Sequence, residues 1–286
     1  MSYRVEAATD IAACALTVPI QDEVWSGDVS VPPQLMLAMV HNGAFVGLGY
    51  VDGDDRPAGF VFGFLGIYDF HFRHHSHMLA VRREHRGTGL ALALKEAQRD
   101  HCLDQGIEIM AWTMDPLEAL NARFNFGKLG TYAREYHRDF YGEMPDKLNA
   151  GLPSDRFYVE WPIGMDRTYK RLRGEDRPPA LDDAEREGIR YLLRADGNAP
   201  TLQDPPSNES HLLVEIPADF QGVKRQDPSL ALAWRIAARG AFEGAFAQGY
   251  AAVEFLRSAQ DGRGAYLLVP QRVRPGPALP APDEPQ

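Results

Sequence analysis

Along this chain the spacing of hydrophobic and polar positions switches between a period of two and a period near 3.6, and the switches mark out its elements. YRVEA reads as a first strand and TDIAACALT as a helix behind it. LMLAMV (35–40), AFVGLGYV (44–51), FVFGFLGIYDF and HHSHMLAV (74–81) then read as strands. Asn42-Gly43 predicts a hairpin turn, because both residues tolerate positive φ, and DGDDRPAG predicts a second turn. From Gly89 to Gln105 the period lengthens: Leu90, Leu94, Ala97 and Leu103 fall near helical spacing, and Gly106 lies past the end. IEIMAWTM (107–114) is the next strand. Asp115 as N-cap, Pro116 at the first helical position and Glu118 in a capping box predict a helix that ends at Gly130. Strands near 132–140 and 156–163 close the unit, and the segment between them reads as an ordered loop.

Beyond this unit, residues 173–188 are polar and proline-bearing, a charged helix or a linker, and a second folded stretch follows. The expected divisions are 1–165, a linker over 166–188, a second α/β region over 189–272, and a proline-rich tail over 273–286 with little to bury. The order strand, Asp-Pro, helix, Gly, strand, strand occurs at 107–163 and again at 211–270, where Asp227-Pro228 opens the helix. The second stretch is therefore expected to be a half-repeat of strand, helix and hairpin. The alternative is the ordinary recurrence of such units in α/β proteins.

Composition narrows the function. The 286 residues carry a net charge of −10, which argues against general binding to nucleic acid or an anionic membrane. Cys14 and Cys102 supply neither a disulfide framework nor metal-ligand spacing. The start lacks a basic segment followed by an apolar one, and the most apolar stretch, 58–68, is too short to span a bilayer, so the cytoplasm is the expected location.

Against this acidic background, LAVRREHRGTGLALALKE (79–96) stands out. A strand stops at Arg82, Arg83 and Arg86, two glycines follow, and a helix begins at once. A helix N-terminus exposes unpaired N–H groups and a partial positive charge, which suits phosphate. Gly87 and Gly89 would let those amides approach an anion. There is neither a Gly-Lys-Ser/Thr nor a G-x-G-x-x-G pattern, so the loop matches no nucleotide fingerprint of those kinds.

The segment Arg86-Gly-Thr-Gly89-Leu-Ala91 after MLAV, then a long helix, a strand, and a helix ending Lys128-Leu-Gly130, resembles the GNAT superfamily of N-acetyltransferases. The resemblance covers roughly residues 1–163. SHMLAV, WTMDPLEALNA, KLG and DRFYVEW also look similar to an uncharacterised subfamily of predicted acetyltransferases within it. It implies a mixed, mostly antiparallel sheet with flanking helices, to which the C-terminal half-repeat would be added. It implies that Arg86, Gly87, Thr88, Gly89, Leu90 and Ala91 bind the pyrophosphate of acetyl-CoA, and that the backbone of Leu79, Ala80 and Val81 pairs with the pantetheine arm of this co-substrate. No metal is expected. The implied reaction is direct attack by an amine, of a small molecule or a peptide, on the thioester. A homodimer remains open, and neither nucleic acid nor membrane is an expected partner. The rival is a non-catalytic acyl-CoA-binding module.

The chain departs from the family where a tyrosine usually protonates the leaving thiolate. That position is Phe126, with no proton to give. Tyr132, just past the helix, is a candidate replacement, and Asn121 is a candidate to hold the cofactor arm. For a base, HFRHHSH (71–77) offers His75 and His77, expected on the same strand face as Leu79 and Val81 with His74 opposite. A metal site would bring together only His75 and His77, with no cysteine to join them. The other alternative is that these are polar strand-end residues with satisfied hydrogen bonds.

Overall fold

The computed structural model describes residues 2–25, 31–143, 151–204 and 209–271. The proline-rich tail and the centre of the expected loop between 140 and 156 lie outside them. The first half comprises β1 (Tyr3–Ala7), α1 (Ile11–Ala15), α2 (Val18–Trp25), α3 (Pro33–Val40), β2 (Phe45–Val51), β3 (Gly59–Tyr68), β4 (His71–Val81), α4 (Leu90–Asp104), β5 (Ile109–Met114), α5 (Ala119–Ala122), β6 (Tyr132–His137) and β7 (Arg156–Pro162). Then come α6 (Asp166–Arg173), α7 (Leu181–Arg186), β8 (Arg190–Asp196), β9 (Ala199–Leu202), β10 (Leu212–Ile216), α8 (Phe220–Gln226), α9 (Pro228–Ala247), β11 (Tyr250–Arg257) and β12 (Gly264–Pro270).

The twelve described strands join one mixed, mostly antiparallel sheet, ordered β1-β2-β3-β4-β5-β7-β6-β11-β12-β10-β8-β9. Two neighbouring pairs are parallel, β4 with β5 and β8 with β10. The triplet β10-β12-β11 is paired in the same order as β5-β7-β6. The halves meet where β11 pairs with β6 through Ala252 and Ala133.

Alternation along β2 assigns the faces. Val46, Leu48 and Tyr50 pack with Ile20 of α2 and Met36 of α3, while Phe45 packs with Leu90 and Leu94 of α4. So α1–α3 cover one face and α4 the other. On the α4 face a larger core runs through Met110, Trp112, Phe126, Phe157 and Trp161 into Trp234, Phe242 and Tyr266 of the second half. Buried ion pairs reinforce this junction: Arg235 of α9 holds Asp115 at 2.5 and 2.8 Å, and Arg239 holds Asp155 at 2.9 Å.

Three local expectations need correction. LMLAMV is helix α3, not a strand; Leu, Met and Ala favour helix, and Pro33 opens it. Consequently Asn42-Gly43 is no hairpin turn: Gly43, at φ 90°, carries the chain from the end of α3 into β2. The Asp115 cap also fails. Its carboxylate accepts from the Leu117 N–H and is taken up by Arg235, helix starts only at Ala119, and Arg123–Leu129 is wound as a π-helix ending at Gly130 in the left-handed conformation. The segment 166–188 carries α6 and α7.

Candidate active site

The parallel ladder between β4 and β5 consists of two pairs, His74 with Met110 and His75 with Ala111. Beyond them the strands part. Ser76–Val81 stays on β3 and Trp112–Met114 stays on β7, leaving a fork between two backbones. At its open end stands the basic loop. Arg83–His85 forms one 3-10 turn, Gly87 and Gly89 have φ of 75° and 104°, and α4 begins at Leu90. Tyr3 Oη donates to the Thr88 carbonyl at 2.9 Å, and Thr88 Oγ1 to that of His85 at 2.6 Å, tying down the turn. The loop is exposed from Arg86 to Gly89.

The three arginines of the loop are not equivalent. Arg86 donates to the Val81 carbonyl at 3.1 Å and stays exposed. Arg83 is exposed as well. Arg82 is buried, bonded to the Pro57 carbonyl and paired with Glu23, so its charge is spent within the fold.

Within β4 the register slips by one residue: Phe62 faces Met78 and Gly63 faces Ser76, leaving His77 as the extra residue of a bulge. The bulge overturns the expected facing. His75 and His77 still share a face, with rings 6.1 Å apart and against Phe64, on the α1–α3 side. Leu79 and Val81 belong to the α4 side. Burial pushes the His75 imidazole down to about 4, helped by His77 and Lys95, and lowers His77 too. The His75 ring is therefore neutral at pH 7, with a lone pair free to accept a proton.

On the His75 face, strand register lines up Phe64, His75, Ala111, Glu160 and Tyr132 in one row. Glu160, 1% exposed, pairs with Arg73 and with Arg134 at 3.1 Å. Tyr68 stacks on Tyr158, their ring centroids 4.8 Å apart, and lies under the Arg73 guanidinium. Tyr68, Arg73, Arg134 and Glu135 line an open cavity of about 470 Å³, whose rim includes Gln271 from the second half.

The other face of the fork is polar and closed. Lys95 of α4 donates to Ser76 Oγ at 2.6 Å, Ser76 Oγ donates to Gln98 Oε1 at 2.8 Å, and Gln98 Nε2 meets His74 Nε2 at 3.1 Å. The Lys95 ammonium also lies 3.7 Å from the centre of the Trp112 ring. Gly63 makes room for this network: a Cβ there would lie 2.3 Å from His74 Nε2, 2.5 Å from Gln98 Nε2 and 2.7 Å from the His75 carbonyl.

The remaining sequence candidates are scattered. Tyr132 is buried beside Glu160, and both burial and that carboxylate raise its phenol well above the usual tyrosine range. Phe126, fully buried, packs edge-on against Phe157 and Tyr266. Asn121 is exposed on α5, whereas Asn125 is buried and donates to the Met114 thioether of β5 at 3.1 Å. Sequence reasoning passed over Asn125, Glu160, Arg73 and Lys95. Asn125 lies four residues past the Asn121 candidate; the others become neighbours only through strand pairing and helix docking. Among the described residues, no three His, Cys, Asp or Glu side chains gather into a cluster that could hold a metal. None of the described helices is long and apolar enough to cross a membrane.

No curated protein matches the sequence. Solved structures with similar coordinates include the ribosomal-protein-S18-alanine N-acetyltransferase from Escherichia coli, at 14% identity and TM-score 0.45, covering 57% of this chain and 96% of that one. An Arabidopsis thaliana protein in complex with the bisubstrate analogue CoA-Ac-MVNAL aligns at 16% identity and TM-score 0.45, over 56% of this chain and 98% of its own. A GNAT acetyltransferase from Streptococcus pneumoniae aligns at 15% and 0.45, over 57% and 100%. The sequence model of the acetyltransferase (GNAT) family matches residues 14–128, which span the loop, the fork and both faces of β4. Over those residues, this chain carries a GNAT acetyltransferase domain.

Proposed function

We propose that the protein transfers an acetyl group from acetyl-CoA to an amine by direct attack. The observation that carries this reading is the fork: two strands that stop pairing with each other and open beside a basic, glycine-turned helix N-terminus. Arg86 to Ala91 would hold the pyrophosphate, the β4 backbone at Leu79, Ala80 and Val81 would pair with the pantetheine arm, and Asn125 rather than Asn121 lies beside the β5 arm of the fork. The bulge at His77 offers backbone N–H groups that can polarise the thioester carbonyl. His75 or His77 takes the proton that the attacking nitrogen sheds; burial weakens each as a base and keeps His75 unprotonated. The acceptor is a small molecule or a peptide entering over the cavity beside Arg73 and Arg134, on the face where the histidines lie.

The second half (189–272) is proposed as a half-copy of the strand, helix and hairpin unit that binds no CoA. It lacks a basic glycine loop, and it lends Gln271 to the acceptor side. The buried Phe126 favours a second reading, a non-catalytic acyl-CoA-binding module. Incubation with acetyl-CoA and a panel of metabolite and peptide amines, followed by mass spectrometry, separates the two. Acetylated product with matching CoA release is expected. CoA binding with no amine-dependent release would favour the binding module.

A further inference from the structure

We propose that Lys95 is the proton donor to the departing CoA thiolate. The inference rests on the acyltransferase reading above. Lys95 sits at the crotch of the fork and touches both of its arms. Ser76, its hydrogen-bond partner, and Trp112, whose ring it covers, are the first residues of β4 and β5 beyond their last paired residues. From Val81, beside the loop, to Ser76 an extended strand covers roughly 16 Å at about 3.3 Å per residue. That is the reach of an extended pantetheine arm, so an arm anchored at the loop brings its sulfur to the crotch.

The two sides of the crotch are chemically different. His75 and His77 lie on the face covered by α1–α3, Lys95 on the face covered by α4. An amine entering over the histidines expels sulfur toward the opposite face, where the ammonium waits. Phe126 supplies no proton there, and Tyr132 lies on the histidine face, in the row of Glu160. Lys95 is 2% exposed and, among the described residues, has no carboxylate partner. A fold gains little by burying a cation in this way unless an anion forms beside it.

The titratable groups facing it are Cys102 on its own helix, whose thiol burial pushes up to about 12, and His74 and His75 of β4, both held neutral by burial. Burial brings Lys95 itself down to about 7, which suits transfer near neutrality. The step balances. The C–N bond forms, the C–S bond breaks with its electron pair going to sulfur, and the Lys95 ammonium gives that sulfur a proton and becomes a neutral amine. The proton lost by the acceptor nitrogen goes to the histidine. Lys95 regains a proton from solvent, and the histidine releases one, as the products leave.

The test needs no acceptor. CoA is bound to the full-length protein and its thiol is titrated by thiolate absorbance, in the wild type, Lys95→Met and Lys95→Arg, with binding measured by calorimetry. The wild-type bound thiol should ionise at least tenfold more readily than in Lys95→Met. Lys95→Arg, always charged, should match or exceed the wild type. A residue that merely fills space would not move the thiol. Equal titrations in all three proteins, with CoA bound, overturn the proposal and leave the acyltransferase reading standing. Failure of the wild type to bind CoA overturns both. If Lys95→Met does not fold, Lys95→Gln, which keeps the polar tip without the charge, replaces it in the comparison.

Discussion

Gly89 closes the loop at φ 104°, and a Cβ there would meet only Tyr3, at 3.8 Å. The demand at this position is backbone conformation rather than space. Gly89→Ala should cost about 1–2 kcal/mol in stability or relax the turn. Since the turn aims the first amides of α4, calorimetry should read a tenfold or larger loss of CoA affinity in a folded variant; unchanged affinity would remove the loop from the binding site. The histidines give a signed pH expectation. With His75 held near 4, the acidic limb of kcat/KM should fall well below the usual histidine range, and His75→Ala or His77→Ala should shift or abolish it, while an alkaline limb set by the acceptor amine remains. Stability follows the same shift. The unfolded chain binds the proton at higher pH than the folded one, so stability declines as pH falls from about 6.5 toward about 4. An acidic limb near 6.5, identical in both variants, would assign these rings to structure.

Strand β4 does its positioning through one inserted residue. The bulge turns His77 and Met78 to the same face, so the strand presents histidines to the acceptor side and Ser76 and His74 to α4. Gly63 is what the neighbouring strand contributes, since a side chain there would strike the His75 carbonyl as well as two side-chain tips. Gly63→Ala should therefore cost about 1–3 kcal/mol and should lower acetyl transfer more than CoA binding, because the loop is untouched; a variant with wild-type stability and turnover would refute the packing argument. This element also marks how far the sequence could be read. The strand, loop and helix from 74 to 104 were legible because local signals agree: an apolar run, glycines at positive φ, then 3.6-residue spacing. The bulge was not, because a bulge is a relation between two strands and one residue of slip leaves no local mark. LMLAMV misled because an unbroken apolar run has no period to measure. Lys95, Glu160 and Arg73 read as ordinary charges until the sheet brings them together.

At the scale of the molecule, the second half completes the core of the first. Phe157 of β7 packs against Phe126, Phe242, Phe246 and Tyr266, and three of those four partners lie beyond residue 163. A chain ending at Ile163 would uncover this apolar surface, strip Asp115 of Arg235 and Asp155 of Arg239, and leave β6 as an open edge. It should aggregate or melt well below the full protein; a monodisperse, fully active fragment would contradict the picture. The backbone ladder itself is uneven. It thins to two pairs between β4 and β5 and to one between β6 and β11, with longer ladders elsewhere among the described strands. In amide hydrogen exchange the single sheet should accordingly answer as three cooperative blocks, β1 to β4, β5 to β6, and β11 to β9 in sheet order. A molecule lodged in the first gap would act as the missing rung, so CoA should slow exchange along Ser76–Val81 and merge the first two blocks while the third keeps its own rate.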